Sequence, residues 1–198
     1  MEVFEMSAKK VENFTVIEEQ GTEQFVEGLR TEKYVSGPKL VTGKEGMKLV
    51  GLKVVVDNKK YAPISKAISN LWKEFGCRIK EIKGAVNPRT CYGVDVDISS
   101  DKYGYFAGIE VSDIRKVPEG MEYMKIPASD YLMTTHKGSL HNVMETFENL
   151  NNLIGTGAAS SYCKSPGKCG FMAFDNNRFT QGADSEVDVY VAVNQLAP

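Results

Sequence analysis

The chain has 198 residues, 42% of them hydrophobic and 25% charged, with a formal net charge of -2. Its 24 Lys and Arg are interspersed with 26 acids, which excludes a basic stripe for nucleic acid and a like-charged interaction tail. The opening "MEVFEMSAKK" lacks the basic start and apolar run of a signal peptide, and no apolar run is long enough to span a bilayer. A cytoplasmic protein with neither a direct nucleic-acid partner nor a membrane partner is expected.

Residues 1–46 are mostly polar and read as an N-terminal extension, with "NFTVIEE" and "EQFVEGLRTEKYV" as pieces of an edge hairpin. The organised domain is expected over 47–198. It opens with "MKLVGLKVVVDN", a β-branched run that ends in a turn-prone Asp-Asn and reads as a central strand. A helix follows. Pro63 suits its first turn, Ile64, Ile68, Leu71, Trp72 and Phe75 form one apolar stripe, and Gly76 is expected to end it. Trp72 lies on that stripe, so core packing is its first reading.

The run "TCYGVDVDIS" sets Tyr92, Val94, Val96 and Ile98 against Asp95 and Asp97, and "YGYFAGIEV" follows after the polar turn "SSDK", which predicts a hairpin. The same order then recurs. "GMEYMKIPASDYLMTTHKG" reads as one extended segment, and "SLHNVMETFENLNNLIG" as a helix with Leu140, Val143, Met144, Phe147, Leu150 and Ile154 at helical spacing. "GFMAF" and "SEVDVYVAV" complete the second unit as strands, with Val187, Val189, Val191 and Val193 alternating against Glu186, Asp188, Tyr190 and Ala192.

The predicted class is therefore α+β. Two strand-helix-strand-strand units form a mostly antiparallel sheet, with two helices on one side and a ligand cleft on the other. If both helices bury their stripes on the valine-rich faces, the opposite faces present Phe106, Gly108, Glu110 and Tyr190 to a groove where the halves meet. Aromatic rings beside one carboxylate suit a small organic molecule, cations included.

Metal chemistry has little to draw on. Cys163 and Cys169 are separated by five residues, which matches no usual zinc hook, and Cys77 and Cys91 stand apart. His136 and His141 would point about 140° apart on a helix and read as surface or helix-entry histidines. No metal, no cofactor and free thiols are expected. "GTGAASS" lacks the Lys-Ser/Thr ending of a phosphate loop, and no serine stands in a G-x-S-x-G elbow.

"PISKAISNLWKEF", "CYGVDVD", "YFAGIEVSD", "PEGMEYMKIPASDYLMTTHKGSL" and "SEVDVYVAV" resemble, in that order, the GyrI-like small-molecule-binding domain. This is the effector-binding domain of AraC-type and MerR-type bacterial regulators, and the resemblance spans about residues 47–194. It implies the duplicated fold and a cleft for hydrophobic or amphipathic molecules, often cationic. Phe106, Glu110, Tyr131, Met172, Phe174 and Tyr190 become the candidate ligand-binding residues, with no catalytic residue assigned.

One departure stands out. The resemblance implies that regulator members binding cationic drugs carry a buried glutamate in a segment resembling "D-F-E-x-Y-D-x-R-F", and matching Phe174, Asp175, Arg178 and Phe179 to it puts Met172 at the acid. A thioether cannot neutralise a buried cation. Glu110 or Asp175 would have to substitute, and a neutral ligand gains ground.

The expected function is a stand-alone small-molecule sensor, scavenger or accessory transcriptional regulator. The alternatives are a hydrolase of cyclopropane-type electrophiles in the same cleft, or a gyrase-inhibitor-like protein-interaction role. A homodimer or a protein partner is left open.

Overall fold

The computed structural model describes residues 23–25, 37–57, 61–156, 159–165, 170–180 and 182–196. Its strands are β1 (Glu23–Phe25), β2 (Lys39–Lys44), β3 (Met47–Asp57), β4 (Thr90–Ser99), β5 (Lys102–Glu110), β6 (Glu122–Ile126), β7 (Ser129–Lys137), β8 (Tyr162–Lys164), β9 (Phe171–Asp175) and β10 (Glu186–Gln195). The helices are α1 (Tyr61–Arg78) and α2 (Val143–Leu153). Most of the expected N-terminal hairpin lies outside the described residues; within them, β1 pairs with β2.

The strands form one antiparallel sheet in the order β1-β2-β7-β10-β9-β4-β5-β3-β6, with β8 added on β10. The duplication is visible in that order. β3-α1-β4-β5 and β7-α2-β9-β10 are the two units, and they meet along a ladder pairing Thr90–Val94 with Phe171–Asp175. The halves also approach at one corner, where Gly46 and the Pro127–Ala128 link touch and only those two linking residues carry the chain from β6 to β7. This curls the sheet into a half-barrel.

Strand alternation divides the side chains into two cores. On one face Leu71 and Phe75 of α1 pack with Val50, Leu52, Tyr105 and Ala107, and Val143, Phe147 and Leu150 of α2 pack with Val187, Val189 and Val191. On the other face Leu49, Tyr92, Val94, Phe106, Tyr131 and Phe171 form a second buried cluster, beneath no helix of the described residues. α1 therefore lies on β3 and β5, and α2 on β7 and β10.

Several expectations change. Val94 and Val96 face away from the helices, because the helix side of β4 is given to Cys91 and Gly93. A Cβ on Gly93 would sit 2.0 Å from the Tyr105 hydroxyl, so the missing side chain is what lets Tyr105 lie across the strand. The extended segment of 120–138 is two strands, β6 and β7, broken at Pro127, which has no N–H for a ladder. α1 runs past Gly76 to Arg78. His136 is not on the surface: it is buried under α2, with Nδ1 2.8 Å from Thr146 Oγ1 and Nε2 3.1 Å from the Ser139 carbonyl oxygen.

No helix among the described residues is long and apolar enough to cross a membrane.

Candidate functional site: an aromatic hollow in the half-barrel

The hollow follows from register. β9 pairs Ala173 with both Tyr92 and Asp188, so Tyr92, Phe171, Ala173, Asp175, Asp188 and Tyr190 all project from the helix-free face. With Lys44, Thr90 and Arg178 they line a partly open cavity of about 230 Å³. The size suits a small planar molecule and lies just below the range of most drug-sized sites.

Its floor is aromatic. Phe171 and Tyr190 are stacked at 4.5 Å with their planes 14° apart, Tyr131 meets them edge-on at 5.3 and 6.0 Å, and Tyr92 meets Phe171 at 6.1 Å. Phe106, Tyr131 and Phe171 are each 1% exposed, so they support the floor from beneath, and half-buried Tyr190 is the ring that the cavity reaches.

The rim is polar and largely self-satisfied. Arg178 grips Asp188 with both terminal nitrogens, one at 3.0 Å, and Thr135 Oγ1 donates to the same carboxylate at 2.7 Å. The hydrogen bond to Asp188 holds the Arg178 guanidinium above its ordinary pKa. Glu186 adds a weaker pair to Arg178 at 3.8 Å. Asp175 Oδ1 accepts from the Asn177 N–H at 2.8 Å, fixing the turn that carries Arg178. Burial, with the charge and hydrogen bonding of Glu110 behind it, pushes the Tyr92 hydroxyl up to about 12.

The six sequence candidates are divided by the sheet. Phe106, Tyr131 and Tyr190 share the helix-free cluster, and half-buried Glu110 lies on the same face, diagonal to Tyr92 across the β4–β5 ladder. Met172 and Phe174 do not join them. They are buried on the helix side, where the Phe174 ring lies 5.0 Å from Trp72. Alternation along β9 is the cause, and it means that Asp175, not position 172, offers the hollow an acid.

Sequence reasoning missed Tyr92, Phe171, Thr90, Lys44 and Asp188 as a group. Asp188 was legible as an outward position, whereas Tyr92 was placed with the valines of β4, and only the β4–β9 pairing shows that the two meet.

Residues 41–193 match the family model Cass2, integron-associated effector binding protein. The chain belongs to this family. It is 31% identical over 128 residues to the transcriptional regulator BrlR of Pseudomonas aeruginosa, a match covering 64% of this chain and 46% of BrlR. It thus spans about half the length of that relative. The fold is similar to SAV2435 bound to tetraphenylphosphonium, with a TM-score of 0.62, 14% identity, and coverage of 79% of this chain and 93% of that one. It is also similar to the integron cassette protein VCH_CASS2 from the mobile metagenome of Vibrio cholerae, with a TM-score of 0.55, 16% identity, and coverage of 83% and 100%.

Proposed function

We propose that this chain is an effector-binding module whose hollow takes up a small aromatic molecule and so acts as a sensor, scavenger or accessory transcriptional regulator. The aromatic cluster of Tyr92, Phe171 and Tyr190 at the floor of the cavity carries the reading. Half-buried Tyr190 presents the accessible ring of this cluster to a ligand, while Arg178 is bonded to Asp188 and Glu186, and the polar rim fixes the ligand's orientation. Membership of an effector-binding family and a ligand-bound structure with the same fold support it.

A thermal-shift screen of the full chain against small aromatic compounds is the test. A binder raises the melting temperature by mass action, by about 2.7 kcal/mol of stability at a hundredfold excess over Kd. Tyr190→Ala abolishes that response if the hollow is the site. The absence of any stabilising compound in a broad aromatic set would count against the reading.

Met172 supports a second location. The position that the sequence resemblance matches to a glutamate lies on the helix face, close to the aromatic group of Trp72, Tyr105 and Phe174. Trp72 is the only tryptophan in the chain, so its fluorescence reports on that face alone. Ligand binding that quenches Trp72 and survives Tyr190→Ala would move the site to the helix side.

A further inference from the structure

We propose that Lys44 is a specificity-determining residue of the hollow, turning it away from aromatic cations and toward aromatic anions. This rests on the binding reading above.

Strand geometry shows how the lysine reaches the site. Leu40 pairs with Leu132 on the helix side, and regular alternation would return Lys44 to that same face. It does not. The register shifts between Val41 and Lys44, so that Thr42 and Gly43 together oppose Asp130, and Lys44 pairs with Ser129 on the helix-free face. An extra residue in one strand re-aims everything beyond it. Gly43 makes the bulge affordable in conformation, with φ of 63°, and its N–H donates to Asp130 Oδ1 at 2.8 Å.

Once turned, the ammonium occupies the position an organic cation would want. Lys44 Nζ lies over the Tyr190 ring, 6.0 Å from its centre, and lines the cavity. A cation resting on a ring face is attracted by the ring's quadrupole, so the chain's own lysine competes with any cationic ligand and repels it as well.

The acids at the mouth do not offset that charge. Asp188 is held by Arg178 and Thr135, and Asp175 is tied into its turn beside the same guanidinium. Among the described residues no carboxylate lies within ion-pair distance of Lys44. Among the described residues the hollow thus carries one uncommitted positive group beside the half-buried Tyr190 ring, which suits an aromatic molecule bearing a carboxylate.

The experiment is calorimetric titration of the full chain with naphthoate, naphthylmethylammonium and neutral naphthylmethanol, which share one ring system and differ in charge. The unmodified chain should bind naphthoate roughly tenfold more tightly than the ammonium probe. Lys44→Arg should keep that preference and Lys44→Met should lose it. Lys44 is partly exposed, and an unchanged melting temperature in both variants shows that the fold is intact. Tighter binding of the ammonium probe by the unmodified chain, or an anion preference that persists in Lys44→Met, overturns the role of Lys44 and leaves the binding site standing. If none of the three probes binds, the hollow as an aromatic-ligand site falls, and this inference falls with it.

Discussion

Trp72 Nε1 donates a hydrogen bond to Tyr105 Oη at 3.3 Å, over the space that Gly93 leaves empty. Helix, strand and neighbouring strand are fixed to one another by that contact, because the Tyr105 ring can reach Trp72 only across a residue with no side chain. Gly93→Ala should therefore be severely disruptive. The new methyl would meet Tyr105 Oη at 2.0 Å and the Phe174 ring at 3.1 Å, and overpacking of this kind costs about 1–3 kcal/mol or more. Chemical denaturation would show the loss, and Tyr105→Phe in the same background should recover part of it.

The Arg178–Asp188 pair makes a contrasting prediction. Asp188's side chain is 12% exposed and Arg178's is 37%, so Arg178→Met strands a mostly buried carboxylate while the lost attraction is itself partly screened. A destabilisation of about 1–3 kcal/mol is expected. Adding Asp188→Asn should restore some of it, since the remaining amide no longer needs a counter-charge. A double-mutant cycle from urea denaturation measures the coupling.

Alkaline titration tests the environment of Tyr92. Its hydroxyl is raised from 10.0 to about 12, mainly by burial and then by Glu110. A raised folded pKa favours the neutral phenol, so its contribution to stability is complete below the unfolded value near 10.0 and is lost as pH rises through about 12. Burial also raises Tyr105 and Tyr162, so ultraviolet titration of phenolate absorbance should show several delayed components in the native chain, of which only that of Tyr92 is advanced by Glu110→Gln.

Thiol labelling should distinguish the cysteines. Cys91 is 8% exposed on the helix side of β4, and burial pushes its thiol up to about 11. The thiolate is the reacting species, so Cys91 should stay unlabelled at neutral pH until the chain unfolds, whereas exposed Cys77 should react at once. Peptide mapping after timed labelling reads both sites. Rapid modification of Cys91 in the native chain would show that the helix-side core opens locally.

Much of this architecture is legible in the sequence, because period and burial are written in the same residues. Val187, Val189, Val191 and Val193 alternate without interruption, and all four lie in the core beneath α2. Leu71 and Phe75 were read as core, and both are buried. In β4 the same rule misled. Tyr92, Val94 and Val96 are its apolar face, yet they turn from the helices because a glycine on the reverse accommodates a tyrosine from β5.

The hollow was harder to read for a different reason. Phe106, Glu110 and Tyr190 follow from alternation within single strands, but Tyr92 and Phe171 become neighbours only through pairing between the two units. Met172 and Phe174 were grouped with them on the strength of a motif, and a motif carries no information about which face a residue takes. Lys44 was beyond reach altogether, since a bulge changes the parity of a strand without changing its composition.

The ladder between Thr90–Val94 and Phe171–Asp175 gives the repeated design a mechanical consequence. Thr90 and Tyr92 come from one repeat, while Phe171, Ala173, Asp175 and Tyr190 come from the other, and all of them border the same hollow. A guest lodged there would act as a rivet through the seam, stiffening two lobes against each other with a grip that neither lobe possesses by itself.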